Sequence, residues 1–450
     1  MKRKIYEQLL AWKQQSQGQT ALLIEGARRV GKSYIVEQFA RHEYASYIII
    51  DFNNTTEQLK DLFRNYLTDL DIFFTYLGMY KGVKLVERNT LIVFDEVQRF
   101  PQARAAIKYL VKDGRYDYIE TGSLVSIRKN VKDIMIPSEE EAIQMQPMDF
   151  EEFLWAMDQE SLAQYIRFQF ERSLPMGQDM HRKAMTWFRQ YMIVGGMPQA
   201  VEKYALTRDF EQVDRQKRNI LSLYRNDIQH YADALETKVT QIFDELPAQL
   251  QRHDGRFRLA DLSKDARFRD YDSAFLWLAD AKIVNICFNC TEPNIGYRLT
   301  RAGNTLKCYM ADTGLLITHA FDENGRLSTE LYKKLMLDKL EVNGGMIMEN
   351  MVAQMLLSGG HKLYFFSSYS KENAEMRMEI DFLLSKVAPT SRHNVLAIEV
   401  KSGKHYTLTS LNKFARKYAN VLDRSCVLHT ADMEVTPTVT YLPLYMAGML

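Results

Sequence analysis

The eight residues Gly26 to Ser33, GARRVGKS, constrain the fold of this 450-residue chain more than any other stretch. They fit the pattern G-x-x-x-x-G-K-[ST], which works only between a buried strand and a helix. That context is present: the apolar run ALLIE precedes it, and SYIVEQFARH, with helical spacing, follows. Glycines let the backbone curl until successive N–H groups point at one spot. A helix starting near Lys32 adds the positive end of its dipole to that spot. The loop residues Gly26, Ala27, Arg28, Arg29, Val30, Gly31, Lys32, Ser33 and Tyr34 are therefore candidates for cradling phosphates. Lys32 should reach the β and γ phosphates, and Ser33 should place its hydroxyl on Mg²⁺. Arg28 and Arg29 are open to two readings, phosphate contact or surface charge.

A second segment completes the chemistry. LIVFDEVQ, residues 91 to 98, is a buried apolar strand ending in two acids. A carboxylate there is costly unless a cation awaits it. Asp95 is placed to hold Mg²⁺, and Glu96, one residue on, to act as general base on an attacking water. Another strand, YDYIETGS, ends in Thr121 and Ser123. Both are candidates for sensing the γ-phosphate or for simply capping the strand end. Lys32 and Glu96 are the expected catalytic residues, Ser33 and Asp95 the metal pair, and ATP with Mg²⁺ the expected cofactors.

The runs ALLIEG, YIIIDF, LIVFDE and YIETGS lack strict alternation, as expected of strands covered on both faces of a parallel sheet. Strand and helix alternate from about Ala21 to Phe150, which argues for an α/β domain with crossover helices. Length alone suggests roughly three domains at about 150 residues each. From about Glu151 the chain turns mainly helical, broken by VGGMPQA. From about Gly344 it reads helix, three strands (KLYFFSS, EIDFLLS, VLAIEVKS), helix, strand.

Lys+Arg 58 against Asp+Glu 57 leaves a net charge of +1, which excludes a general polyanion-coating protein while leaving room for a local basic groove. Four cysteines are too few for a disulfide framework and suit a reducing cytosol. No apolar run approaches the roughly 18–20 residues that span a bilayer. The opening segment reads as an amphipathic helix carrying Ile5, Leu9, Leu10 and Trp12. The expectation is a soluble cytoplasmic protein with no membrane partner.

GARRVGKS, VFDEVQRFP and the TGS after the next strand, followed by PMDFEEFLWA, VGGMPQAV, LYRNDIQHY, KCYMADTGLL, MENMVAQML, EIDFLLS and IEVKSGK, together resemble a large bacterial and archaeal family of AAA-type P-loop ATPases with a C-terminal domain of unknown function. The resemblance covers nearly the whole chain. It implies four regions: an ATPase domain over 1–155, a helical lid or linker over 156–235, a winged-helix-like region over 236–320 and an α/β domain over 321–450. The last is similar to the nuclease fold of restriction enzymes and Holliday-junction resolvases. One departure stands out: some related ATPases carry a Gly-Arg pair after the third catalytic strand, where this chain reads IPSEEEAIQ. The source of an arginine finger is therefore open.

The C-terminal segment also has its own chemistry. Asp381 opens a strand, and Glu399 and Lys401 are two apart on the next, so alternation puts them on one face. Glu349 lies on the helix that opens the domain. In this D…E-x-K arrangement the acids hold Mg²⁺ and the lysine orients a water. Two outcomes fit: a working nuclease, or a degenerate nuclease fold that binds a nucleic-acid or protein partner without cutting. Lys401, Lys404, His405, Lys413, Arg416 and Lys417 make a basic stretch suited either to phosphate contacts or to a solvated helix face. The leading expectation is an ATPase that controls this domain; the rival is a slow nucleotide-dependent switch.

Two further features are weaker. Cys287 and Cys290 have metal-ligand spacing but lack a second pair, and a regular strand puts them on opposite faces, as small buried residues. Residues 252–270 hold Arg252, Arg256, Arg258, Lys264, Arg267 and Arg269 against Asp254, Asp261, Asp265 and Asp270, a weak basic excess. DNA contact by a helix-turn-helix there is open, as is protein packing.

Overall fold

The computed structural model describes residues 1–122, 138–252, 255–294, 296–321, 332, 334, 344–385, 393–403 and 405–450. The chain divides into two compact units, Met1–Gln146 and Pro147–Leu450.

The first unit contains α1 (Ile5–Ser16), β1 (Ala21–Gly26), α2 (Lys32–Glu43), β2 (Ser46–Asp51), α3 (Glu57–Asn65), α4 (Leu70–Lys81), β3 (Thr90–Asp95), α5 (Pro101–Asp113), β4 (Asp117–Gly122) and β5 (Glu140–Met145). The strands form one sheet in the order β2-β3-β4-β1-β5, and every pairing is parallel. Alternation along β3 shows how the sheet is covered. Leu91 and Val93 join a cluster with Ile5, Leu9, Trp12 and Phe39 from α1 and α2. Ile92 and Phe94 face the other way, against Leu59, Phe63, Phe74 and Ile107 from α3, α4 and α5. Both faces are apolar, so the strands are continuous apolar runs. The exception is β5, EEAIQM, an edge strand whose polar pattern hides it from hydropathy reading. Its Glu140 is held by Arg104 through two hydrogen bonds, 2.7 and 3.2 Å, with both side chains buried.

The second unit opens with helices α6 (Phe150–Ala156), α7 (Glu160–Arg172), α8 (Gln178–Val194), α9 (Pro198–Thr207), α10 (Phe210–Tyr231), α11 (Glu236–Leu250) and α12 (Phe268–Asp280). A hairpin of β6 (Val284–Cys290) and β7 (Arg301–Met310) follows, then α13 (Thr313–Ala320) and α14 (Gly344–Ser358). Next come β8 (Tyr364–Ser368), β9 (Met378–Ile380), β10 (Phe382–Ser385), β11 (Val395–Val400), α15 (Thr409–Lys417), β12 (Leu422–His429), β13 (Glu434–Val435) and β14 (Val439–Pro443). The segment EIDFLLS, read as one strand from sequence, is broken at Asp381. Its first half, β9, ends a four-stranded sheet β7-β6-β8-β9, and its second half, β10, starts a five-stranded sheet β10-β11-β12-β14-β13. The hairpin β6–β7 thus shares a sheet with strands from beyond residue 344, β6 pairing parallel with β8.

Candidate nucleotide and carboxylate sites

The loop after β1 has the geometry its sequence demands. Gly31 takes φ 100°, in the left-handed region, as it caps α2. Gly26 is needed for a different reason: a Cβ there would lie 2.6 Å from the Met145 carbonyl oxygen on β5. Ala27, Val30 and Lys32 are buried, Gly31 is half-buried, and Arg28, Arg29, Ser33 and Tyr34 are exposed. Lys32 Nζ donates to the carbonyls of Gly26 (3.0 Å) and Ala27 (3.1 Å), so the ammonium lies folded over the loop.

The strand-end acids lie beside it. Ser33 Oγ donates to Asp95 Oδ1 at 2.8 Å, which brings the hydroxyl and the carboxylate expected at Mg²⁺ together from positions 62 residues apart. Thr121 Oγ1 also donates to Asp95 Oδ1 and accepts from the Glu96 N–H at 3.3 Å. Thr121 therefore ties the two acids to β4. Glu96 has φ 56°, a left-handed conformation. Such a backbone costs a non-glycine residue roughly 1 kcal/mol or more. Gln98 Nε2 donates to the Glu96 carboxylate Oε2 at 2.6 Å. Ser123 lies outside the described residues.

The donor set fits a magnesium nucleotide. It offers a hydroxyl and a carboxylate, hard oxygen ligands of the kind Mg²⁺ takes, next to a buried lysine and a helix N-terminus. Sequence reasoning did not find Arg3. Its buried guanidinium donates to the Val30 carbonyl (3.0 Å) and to the Gln146 carbonyl (2.6 Å), pinning the phosphate loop to the end of β5. No local pattern marks it, because its partners are 27 and 143 residues away.

Residues 18–154 match a family described as AAA domain. The N-terminal unit is a P-loop NTPase-like domain, similar over those residues to AAA-type ATPases. Residues 185–325 and 344–446 match two families described as domains of unknown function, DUF8612 and DUF4143. No curated protein matches the chain. Among solved structures, the chain is similar to the Walker-type ATPase PABY2304 of Pyrococcus abyssi, at 16% identity and TM-score 0.41, over 71% of this chain and 95% of that one. It is similar to AMPPCP-bound DnaA from Aquifex aeolicus, at 12% identity and TM-score 0.27, over 62% and 84%. It is also similar to Cdc6p from Pyrobaculum aerophilum, at 12% identity and TM-score 0.24, over 76% and 96%.

In the second unit, Glu349 on α14 and Asp381 at the strand break approach one another around a residue that no sequence pattern singled out. Lys307 of β7 is 1% exposed, and its Nζ lies 2.8 Å from Glu349 Oε1, 3.1 Å from Glu379 Oε1 and 3.8 Å from Asp381 Oδ1. Burial pushes the Asp381 carboxyl above the usual range, and the Glu349 charge adds to this. The Lys307 ammonium and the Val400 N–H pull it back. Burial likewise raises Glu399, against the pull of Lys401. Lys401 lies one residue past β11 and pairs with Glu399 Oε2 at 2.6 Å. Glu379 was missed although it stands two residues before Asp381. Lys307 was missed because a lysine in the run KCYMAD carries no local sign of its partners.

The remaining basic residues are mostly engaged within the unit. Arg252 pairs with Asp261, Arg256 with Glu379 and Arg269 with Asp270. Lys413 donates to the Ala374 carbonyl, Arg416 pairs with Glu375, and Lys417 contacts the Met376 sulfur, so this helix face meets a neighbouring turn. Lys404 and Asp254 lie outside the described residues. Cys287 and Cys290 are both buried, in separate apolar clusters. Among the described residues no helix is long and apolar enough to cross a membrane.

Proposed function

We propose that this protein is a Mg²⁺-dependent ATPase whose nucleotide state acts on a nuclease-like C-terminal region that engages a nucleic-acid or protein partner. The observation that carries the ATPase reading is the meeting of Ser33 with Asp95 at 2.8 Å, beside Lys32 and Glu96. Loop amides and Lys32 bind the β and γ phosphates, and Ser33 and Asp95 hold the metal. When bound, Mg²⁺ offsets the negative charge that builds up on the transferred phosphoryl group. Glu96 accepts a proton from the attacking water through the carboxylate oxygen that Gln98 does not hold, while Thr121 keeps Asp95 and Glu96 in register.

Beyond this domain, α11, α12 and the hairpin β6–β7 follow the order of a winged helix, which supports that reading of 236–320. The helix α14, the antiparallel pairing of β10 with β11, and the parallel step from β11 through α15 to β12 support a restriction-endonuclease-like core in 321–450. Residues 156–235 are read as a helical lid or linker.

The test is calorimetry of Mg-ATP binding by wild type and Lys32→Ala. Loss of this lysine at the phosphates should weaken binding by ~100-fold or more, since charge-assisted contacts to phosphate are the strong ones. Equal affinities would remove the phosphate-loop assignment.

A further inference from the structure

A nuclease of the restriction-enzyme kind implies a divalent metal among its carboxylates. In this chain an ammonium lies among three of the C-terminal carboxylates, Glu349, Glu379 and Asp381. Lys307 projects from the hairpin strand β7 into the space between α14 and the β9–β10 break. Each carboxylate it meets has a second donor of its own. Tyr309 O–H donates to Glu349 Oε1 at 2.5 Å, Arg256 to Glu379 Oε2 at 2.6 Å, and the Val400 N–H to Asp381 Oδ2 at 2.8 Å. Glu399, the remaining acid of the expected metal set, is held by Lys401.

This arrangement does not fit a metal. Mg²⁺ needs oxygen ligands at about 2.1 Å in a near-octahedral shell and keeps several waters. An ion close enough to bind Glu349, Glu379 and Asp381 together would overlap the ammonium that already lies among them. Among the described residues, no group of three His, Cys, Asp or Glu side chains is disposed to hold a metal ion. The ammonium is also well kept. Its Nζ lies 2.8 Å from Glu349 Oε1 and 3.1 Å from Glu379 Oε1, and the side chain is 1% exposed. A buried cation of this kind persists only when it is paired and hydrogen-bonded.

We propose that Lys307 is the resident cation of the C-terminal carboxylate cluster: it stands where a cleaving nuclease of this fold holds its divalent metal, so the cluster stays assembled without metal and the region does not hydrolyse nucleic acid. Lys307 belongs to the hairpin while Glu349, Glu379 and Asp381 belong to the C-terminal elements. The same contact therefore clasps the two regions together, alongside the pairing of β6 with β8. The inference rests on the nuclease-like reading of residues 321–450.

The experiment uses the full chain without nucleotide and reads Mn²⁺ binding by electron paramagnetic resonance and by thermal shift. Wild type should show no Mn²⁺ binding that Asp381→Asn abolishes, and no Mn²⁺-dependent cleavage of single-stranded, duplex or branched DNA or of RNA. Lys307→Ala removes the cation but leaves the three carboxylates. It should melt lower than wild type, recover several degrees with Mn²⁺, and bind the ion at least ~100-fold more tightly than wild type, because site affinity follows ligand charge and space. Adding Asp381→Asn to that variant should remove the gain. If Lys307→Ala does not fold, Lys307→Gln keeps much of the side-chain volume while losing the charge, and the wild-type comparison with Asp381→Asn stands by itself. Mn²⁺ binding or cleavage by wild type that Asp381→Asn abolishes would overturn the proposal while leaving the nuclease-like reading intact. A folded Lys307→Ala protein that still ignores Mn²⁺, with wild type equally silent, would remove the nuclease-like reading itself.

Discussion

Replacing Glu96 by glutamine separates binding from turnover. The change swaps one carboxylate oxygen for an amide nitrogen at almost constant volume. It leaves Lys32 on the loop, and the 2.8 Å contact of Ser33 with Asp95, untouched. The left-handed backbone at residue 96 serves glutamine as well as glutamate, and Thr121 still receives its N–H. ATP affinity should therefore stay within about threefold of wild type, as expected when ground-state contacts are kept. What is lost is the proton acceptor. General-base catalysis contributes ~10²–10⁴-fold, equivalent to about 2.7–5.4 kcal/mol of barrier. Steady-state phosphate release, with calorimetry of Mg-ATP on the same preparations, measures both quantities. Unchanged turnover with normal binding would show that another group activates the water. A parallel loss of binding would show that Glu96 lies at the phosphates, contrary to the geometry.

Two further outcomes follow from buried groups. Arg3→Met strips the Val30 and Gln146 carbonyls of their donors, and each unsatisfied buried group costs about 1–3 kcal/mol. Calorimetry and thermal melting should show weaker ATP binding together with a lower midpoint, and an unchanged affinity would mean that the loop holds its shape without this pin. Lys217, on α10, donates to the carbonyls of Ile193 (2.7 Å) and Gly314 (3.1 Å). Burial lowers its pKa to about 8, although Asp214 and Asp312 pull it upward. The unfolded chain keeps that proton to about pH 10.4, so between roughly pH 8 and 10 unfolding takes up a proton and stability rises with pH. The midpoint of wild type relative to Lys217→Met should accordingly move in favour of wild type from about pH 7.5 to about pH 9.5. A constant difference would refute the depressed pKa.

Local sequence carried the candidate nucleotide site because its parts act over short spans. A glycine-bounded loop with Lys32 and Ser33 needs only the strand before it and the helix after it. An apolar run ending in Asp95 and Glu96 declares a buried strand with its acids at the tip. The parallel sheet followed from the same runs, since strands covered on both faces cannot hide their apolar residues. The edge strand β5 escaped because an edge tolerates EEAIQM, and its place depends on Arg104 reaching Glu140 from another element. The C-terminal acids show the limit most clearly. Spacing put Glu399 and Lys401 on one face, and the D…E-x-K pattern added Asp381, but neither could tell what would stand among the acids. That was decided by the hairpin, which carries Lys307 to Glu349, 42 residues on, and to Glu379 and Asp381 beyond it. A buried charge is fixed by whichever opposite charges the fold brings within reach, and that choice is made across the tertiary structure, where no local pattern records it.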